Sequence, residues 1–203
     1  MSRDTGRRRD KLQSSWFTSI RGARAIPSRR WTLTRYGASY AASKTGPMKL
    51  SEILTDDAIV ASTAATGKDE FFGEVVAKLV SQDAGIRREV VLEALRERER
   101  LGSTALDGGV AIPHARVAGL ARPLGLLARS AAGVEWGAPD GVRSRLILVL
   151  VTPAEQSGSH LKLLAAASRV LRDATCRERL AAATDASEML AAVRTCEDSL
   201  ERH

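Results

Sequence analysis

Three histidines occur in the 203 residues of this chain, and one of them stands where a nucleophile would. It closes the run Gly102-Ser103-Thr104-Ala105-Leu106-Asp107-Gly108-Gly109-Val110-Ala111-Ile112-Pro113-His114. That run leaves a charged helix, crosses a glycine-rich turn and enters a short apolar strand ending at His114. A neutral imidazole has one nucleophilic nitrogen and one N–H, and the partner of the N–H decides which nitrogen is free. Beside hydroxyl and glycine-backbone donors, such a ring suits a phosphoryl acceptor better than a core filler. Strand-end histidines are also often structural, so the residue types alone leave both readings open.

The other candidates carry the same double reading. His160 follows Ser157-Gly158-Ser159 at the expected start of a helix. That end has partial positive charge and unpaired N–H groups, which favour a bound phosphoryl group. A half-exposed surface histidine is the plain alternative. Arg98 is forked and always charged, as a phosphoryl clamp must be, yet it lies in an Arg/Glu run where most charges face water. Ser103 and Thr104 are donors near the site, or caps of a turn. Gly108 and Gly109 permit close backbone approach, or only a turn. Pro113 fixes the backbone entering His114, or only ends a strand. No spacing of ligand residues calls for a metal, and no cofactor is expected.

Three ordered blocks sharpen this reading. They are GSTALDGGVAIPHA ending at Ala115, the run Leu150-Val151-Thr152-Pro153 to His160-Leu161, and Val90 to Leu101 (VVLEALRERERL). Over about residues 48–195 the chain resembles the enzyme IIA domains of the bacterial phosphotransferase system, in the fructose–mannitol–nitrogen class. The resemblance implies that His114 takes a phosphoryl group from a small, HPr-like phosphocarrier protein. It puts His160 beside it, on the transferred group, and Arg98 near the phosphoryl oxygens. The turn departs from the usual Gly-Ile-Gly-Asn-Gly, and Ala115 and Arg116 follow the histidine where glycine is commoner directly after it. These departures bear on the docking partner, not on the two histidines.

Positioning these residues takes an α/β framework. Apolar residues at helical spacing predict helices over Lys68–Ser81, ended by Gly85 as a C-cap, and over Arg87–Arg100. Ser51 is expected to cap a turn within Lys49–Leu54. Strands are expected at Ile59-Val60, Val110–Ile112, Leu124–Ala128, Val134–Trp136 and Arg145–Val151. The last is continuously apolar, the mark of a strand covered on both faces. From His160 onward the chain reads as helical, with Leu161, Leu164, Ala165, Ser168, Val170 and Leu171 lining the first helix. The order implies one α/β domain with a mixed, mostly parallel sheet and helices on both faces.

Charge divides the chain in two. Residues 1–47 hold 11 Lys/Arg against 2 Asp/Glu, whereas the remainder carries 20 against 22. The net charge of +7 therefore belongs to a basic tail, expected to be disordered, ahead of a domain over 48–203. Met48-Lys49-Leu50-Ser51 looks like the natural start of that domain, which leaves the tail as an upstream extension without a folded role. The near-neutral domain gives no reason to expect nucleic-acid binding. Only an arm-driven, steeply salt-sensitive contact would be compatible with it. No run approaches the length of a membrane helix, and Cys176 and Cys196 fit neither a metal site nor a disulfide framework, so reduced thiols in the cytoplasm are expected.

The resemblance leaves three functions to weigh. The first is a nitrogen-type regulator that binds target proteins according to its phosphorylation state. The second is a fructose- or mannitol-type domain feeding a sugar-specific IIB domain. The third is an interaction module without phosphoryl transfer. A free-standing domain without a IIB-like segment favours the regulator.

Overall fold

A computed structural model describes residues 48–83 and 85–202. The expectations for residues 1–47 and for His203 lie outside the described residues. The domain is built on a sheet of six strands: β1 (Ile59–Val60), β2 (Ala105–Leu106), β3 (Val110–Ala111), β4 (His114–Val117), β5 (Leu124–Val134) and β6 (Ser144–Pro153). Their order is β1-β5-β6-β3-β2, with β4 also on β6. Parallel pairing joins β1 to β5 and both β3 and β4 to β6, while β2–β3 and the long β5–β6 ladder are antiparallel. The sheet is thus mixed, as expected, with its longest ladder antiparallel.

Strand β6 explains the two-sided architecture. Successive side chains of a strand point to opposite faces. Leu146, Leu148 and Leu150 join one core with helices α3 (Ser157–Arg172), α4 (Ala174–Ala182) and α5 (Ala186–Leu200). Ile147, Val149 and Val151 join the other, with α1 (Lys68–Val80) and α2 (Arg88–Arg100). A strand feeding two cores has no polar face, which is why it reads as a continuous apolar run.

Several local expectations change. Leu124–Ala128 and Val134–Trp136 are not two strands: β5 runs unbroken to Val134, with an irregularity after Arg129. Trp136 lies beyond it. Gly133 absorbs the irregularity at φ +76°, where an added Cβ would stand 2.6 Å from Arg143 Cβ. Gly133→Ala is therefore expected to cost about 1–3 kcal/mol, from left-handed strain and overpacking together. A lowered urea midpoint at unchanged slope is the expected readout.

Helix α1 ends at Val80 with Ser81 as its C-cap, and Gly85 lies in the following turn, its N–H donating to Asp83 Oδ1 at 2.9 Å. Ser51 caps nothing. Its hydroxyl donates to the buried Glu197 carboxylate of α5, which also takes the Leu50 N–H and so ties Leu50-Ser51 to that helix. In α3 the buried stripe is Leu163, Ala166, Ala167, Val170 and Leu171, and Leu161 is 67% exposed. The expected stripe was rotated because small alanines, not Leu161, face the sheet. The free-thiol reading is corrected as well. Cys176 of α4 and Cys196 of α5 lie on buried faces of neighbouring helices, with Cα atoms 5.7 Å apart, and pair as a disulfide. Twenty residues of sequence hide what helix packing brings together.

Candidate active site

His114 does not end a strand: it opens one. β3 and β4 follow β6 in the same parallel register, Val110 against Leu146 and His114 against Leu150. Between them Ile112-Pro113 interrupts the pairing. Proline has no N–H to give, and Pro113 contributes only its carbonyl, to the Leu150 N–H at 2.9 Å. The break sets Ile112 O free to face its own chain two residues on.

That carbonyl decides the chemistry of the ring. His114 Nδ1 lies 2.7 Å from Ile112 O, and its Nε2 lies 3.1 Å from Arg98 Nε. A carbonyl can only accept and a guanidinium can only donate. Both partners are one-sided, so a neutral His114 carries its proton on Nδ1 and presents the Nε2 lone pair. The nitrogen left with a lone pair is the one beside the cation.

Arg98 comes from the last turn of α2, on the far side of the sheet, and reaches round the edge at β4. A second donor on its guanidinium, Nη1, holds Gly102 O at 2.9 Å. Ser103 and Thr104 brace this corner and do not face the histidine. The Ser103 hydroxyl donates to Trp136 O at 3.0 Å. The Thr104 hydroxyl donates to Glu99 at 2.6 Å and accepts from Trp136 Nε1–H at 3.1 Å. Glu99 is neutralised by Lys68 at 2.9 Å. The residue next to Arg98 is thereby anchored to the core.

His160 lies in the first turn of α3, its ring centroid 5.5 Å from that of His114. Its Nδ1 is 2.8 Å from the hydroxyl of Thr152, a fully buried residue of β6. Arg116, two residues along β4 and so on the same face as His114, donates to Ser157 Oγ at 3.0 Å. His114, His160 and Arg98 thus come together, and the structure adds Thr152 and Arg116, which the sequence had not singled out. Alternation along β4 was the signal that could have found Arg116. Gly108 and Gly109 are not brought in. Their turn is held by Asp140 Oδ2 on Gly108 N–H and by Gly109 O on the Arg145 and Leu146 N–H groups. Along β6 that is about 13 Å from the partner of His114, too far for a cradle. The family-like glycines serve β2–β3 instead, with φ of +81° and +74°.

Both rings are biased toward the neutral form. Burial lowers the His114 pKa below the ordinary 6.5, the Arg98 cation lowers it further, and the Ile112 carbonyl opposes them. Burial also lowers His160, followed by the charges of His114, Arg116 and Arg98. Folded values below unfolded ones mean that the unfolded chain takes up protons first as pH falls. Stability from these two rings is whole above pH 6.5 and is lost as pH drops from there through the folded values. NMR titration should give midpoints for both rings below 6.5, with urea midpoints falling over the same range. A midpoint at or above that value for either ring would contradict the site as described.

Paired neutral imidazoles beside fixed guanidinium groups, at the edge of a two-sided α/β sheet, equip a protein to handle a phosphoryl group. Residues 52–195 match the family described as "Phosphoenolpyruvate-dependent sugar phosphotransferase system, EIIA 2", and the chain belongs to that family of phosphoryl-transferring components. It is similar to a nitrogen regulatory protein of Bradyrhizobium diazoefficiens, 33% identical over 139 residues, 68% of this chain and 90% of that one. Among solved structures, the nitrogen regulatory protein IIA-Ntr from Neisseria meningitidis aligns with a TM-score of 0.67 and 34% identity, covering 70% of this chain and 97% of that one. The fold is shared with the Escherichia coli complex of enzyme IIA mannitol and phosphorylated enzyme IIB mannitol, at a TM-score of 0.59 and 22% identity over 70% and 97% of the two chains. Among the described residues no helix is long and apolar enough to cross a membrane.

Proposed function

We propose that His114 accepts a phosphoryl group on Nε2, and that the chain acts as a nitrogen-type regulatory EIIA whose phosphorylation state selects its protein partners. The observation that carries the first half is the lone pair forced onto Nε2 by Ile112 O and Arg98. The donor is a small phosphocarrier protein bearing a phosphohistidine. The His114 Nε2 lone pair attacks phosphorus in line, the P–N bond to the donor breaks, and its electron pair returns to the donor's imidazole. The His114 ring keeps its Nδ1 proton and becomes an imidazolium carrying the phosphoryl group. Ile112 O takes up the positive charge through the hydrogen bond it already makes. Arg98 then has an anion in place of a lone pair, and Arg116 and the N–H groups at the start of α3 add to the positive field. Pro113 supports the site by freeing that carbonyl.

The regulatory half rests on the likeness to nitrogen regulatory proteins over two thirds of the chain. Handing the group on to a IIB domain is the second reading, favoured by the fold shared with a IIA mannitol solved with its IIB partner. A relay that begins at phosphoenolpyruvate puts the work in the cytoplasm. Intact-mass spectrometry at alkaline pH tests both readings. The full chain is incubated with phosphoenolpyruvate, enzyme I and the phosphocarrier protein, and then with candidate IIB domains. A gain of one phosphoryl group that stays on the chain supports the regulator, and its passage to a IIB domain supports sugar uptake. No gain with cognate carriers would leave an interaction module.

A further inference from the structure

We infer that Thr152 is a positioning residue that fixes the tautomer of His160, and thereby decides which of the two histidines takes the phosphoryl group. The inference deepens the proposed function and rests on that reading of His114.

Thr152 ends the apolar run Leu146–Val151 of β6. Alternation turns its side chain to the α3 face, with Leu146, Leu148 and Leu150. It is 0% exposed, so its hydroxyl has no water to turn to. Among the described residues its hydrogen-bond partner is His160 Nδ1, at 2.8 Å. A hydroxyl always has one proton to donate, and leaving that proton unpaired in a buried place is costly. Only a lone pair on Nδ1 can receive it. The Thr152 proton therefore goes to Nδ1, and a neutral His160 must carry its own proton on Nε2.

The consequence is a division of labour between two rings whose centroids are 5.5 Å apart. His114 is held with its proton inward, on Nδ1, and its lone pair on Nε2. His160 is held the opposite way, with its lone pair inward and an N–H on Nε2. Ile112 O sets the first and Thr152 Oγ1 sets the second. A phosphoryl group on His114 carries only acceptor oxygens, so it needs donors around it and is repelled by a second lone pair. Thr152 makes His160 a donor to that group rather than a rival nucleophile. It does so without touching the phosphoryl group.

The test compares the full-length wild type with Thr152→Val, which keeps the shape and loses the hydroxyl, and with Thr152→Ser, which keeps the hydroxyl. Nitrogen-15 NMR of the histidine rings, on unphosphorylated protein at a pH where both are neutral, reads the tautomers directly. The wild type should show His160 protonated on Nε2 alone. Thr152→Val should show an averaged, mixed tautomer, and Thr152→Ser should restore the wild-type pattern. After phosphorylation, the half-life of the phosphohistidine should fall about two- to threefold in Thr152→Val, where the donor tautomer of His160 has to be selected from a mixture, and recover in Thr152→Ser. A wild-type His160 protonated on Nδ1 overturns the inference outright, whatever the variants do. So does a Thr152→Val protein with both tautomer and half-life unchanged. If Thr152→Val does not fold, the wild-type tautomer still decides. A wild type with the expected tautomer that takes up no phosphoryl group would instead overturn the proposed function.

Discussion

His114→Ala is expected to remove the mass gain of one phosphoryl group altogether, a drop of at least about a thousandfold in the rate of uptake. The expectation follows from the geometry, not from the histidine count. With the tautomer inferred above, His160 does not take over: its Nδ1, 2.8 Å from the Thr152 hydroxyl, receives that proton, and its Nε2 carries its own. Arg98 loses the ring it now holds but keeps Gly102 O, so the corner of α2 should survive. His114 is only half-buried, and its removal leaves the β4–β6 ladder intact. The variant should therefore melt within a few degrees of wild type while losing its label. His114→Gln is a useful companion, since it keeps a polar group near Arg98 and Ile112 but offers no nucleophilic nitrogen. Alkaline intact-mass measurement on both variants decides the matter: a label on either at the wild-type level would end the assignment of His114.

Trp136→Ala should give the largest loss of stability, about 3–5 kcal/mol by analogy with other buried aromatic truncations. Trp136 is 0% exposed and meets Phe71 and Phe72 edge-on, with centroids at 5.5 and 5.6 Å. Its removal opens a cavity between α1 and β5 that these two rings cannot close without losing their own packing. It also withdraws the Nε1–H that Thr104 accepts, in the chain of contacts from Trp136 through Thr104 to Glu99. Arg98 is the next residue, so phosphoryl uptake should slow even in the fraction that stays folded. Trp136→Phe separates the two effects. It keeps an aromatic ring against Phe71 and Phe72 and removes the hydrogen bond with only part of the indole's volume, for a smaller cost of about 2 kcal/mol. Urea unfolding read by circular dichroism, alongside the label rate, gives both numbers. A Trp136→Ala midpoint near wild type would show that this core does not hold the α2 corner.

Much of the framework was legible in the residues. The helices Lys68–Val80 and Arg88–Arg100 differ from expectation by one residue at an end, because amphipathic spacing over thirteen residues leaves little freedom. The continuous apolar run in β6 announced a strand covered on both faces. His114, His160 and Arg98 were readable from their motifs, and the structure brings all three together. Other features were not legible. Gly108 and Gly109 read in sequence as a close backbone approach or only a turn, and a φ near +80° serves the turn between strands. Strand alternation could have put Arg116 beside His114 only once β4 was known to start at the histidine, not end there. Thr152 lies one residue past the expected strand Arg145–Val151, and only its burial against α3 makes its hydroxyl matter.

The division between the two sources has a physical cause. Periodicity, glycine and proline placement, and charge are properties of neighbours along the chain, so the sequence by itself determined the element types, the two-sided sheet and which histidines were candidates for chemistry. The tautomers of the two histidines, the reach of Arg98 around the sheet edge and the pairing of Cys176 with Cys196 depend on atoms brought together from distant segments. A hydrogen bond acts over about 3 Å, and no pattern along one strand or helix says which far-off group will stand at that distance. Only tertiary packing decided those contacts, and the proposed division of the two histidines into one acceptor and one donor rests on them.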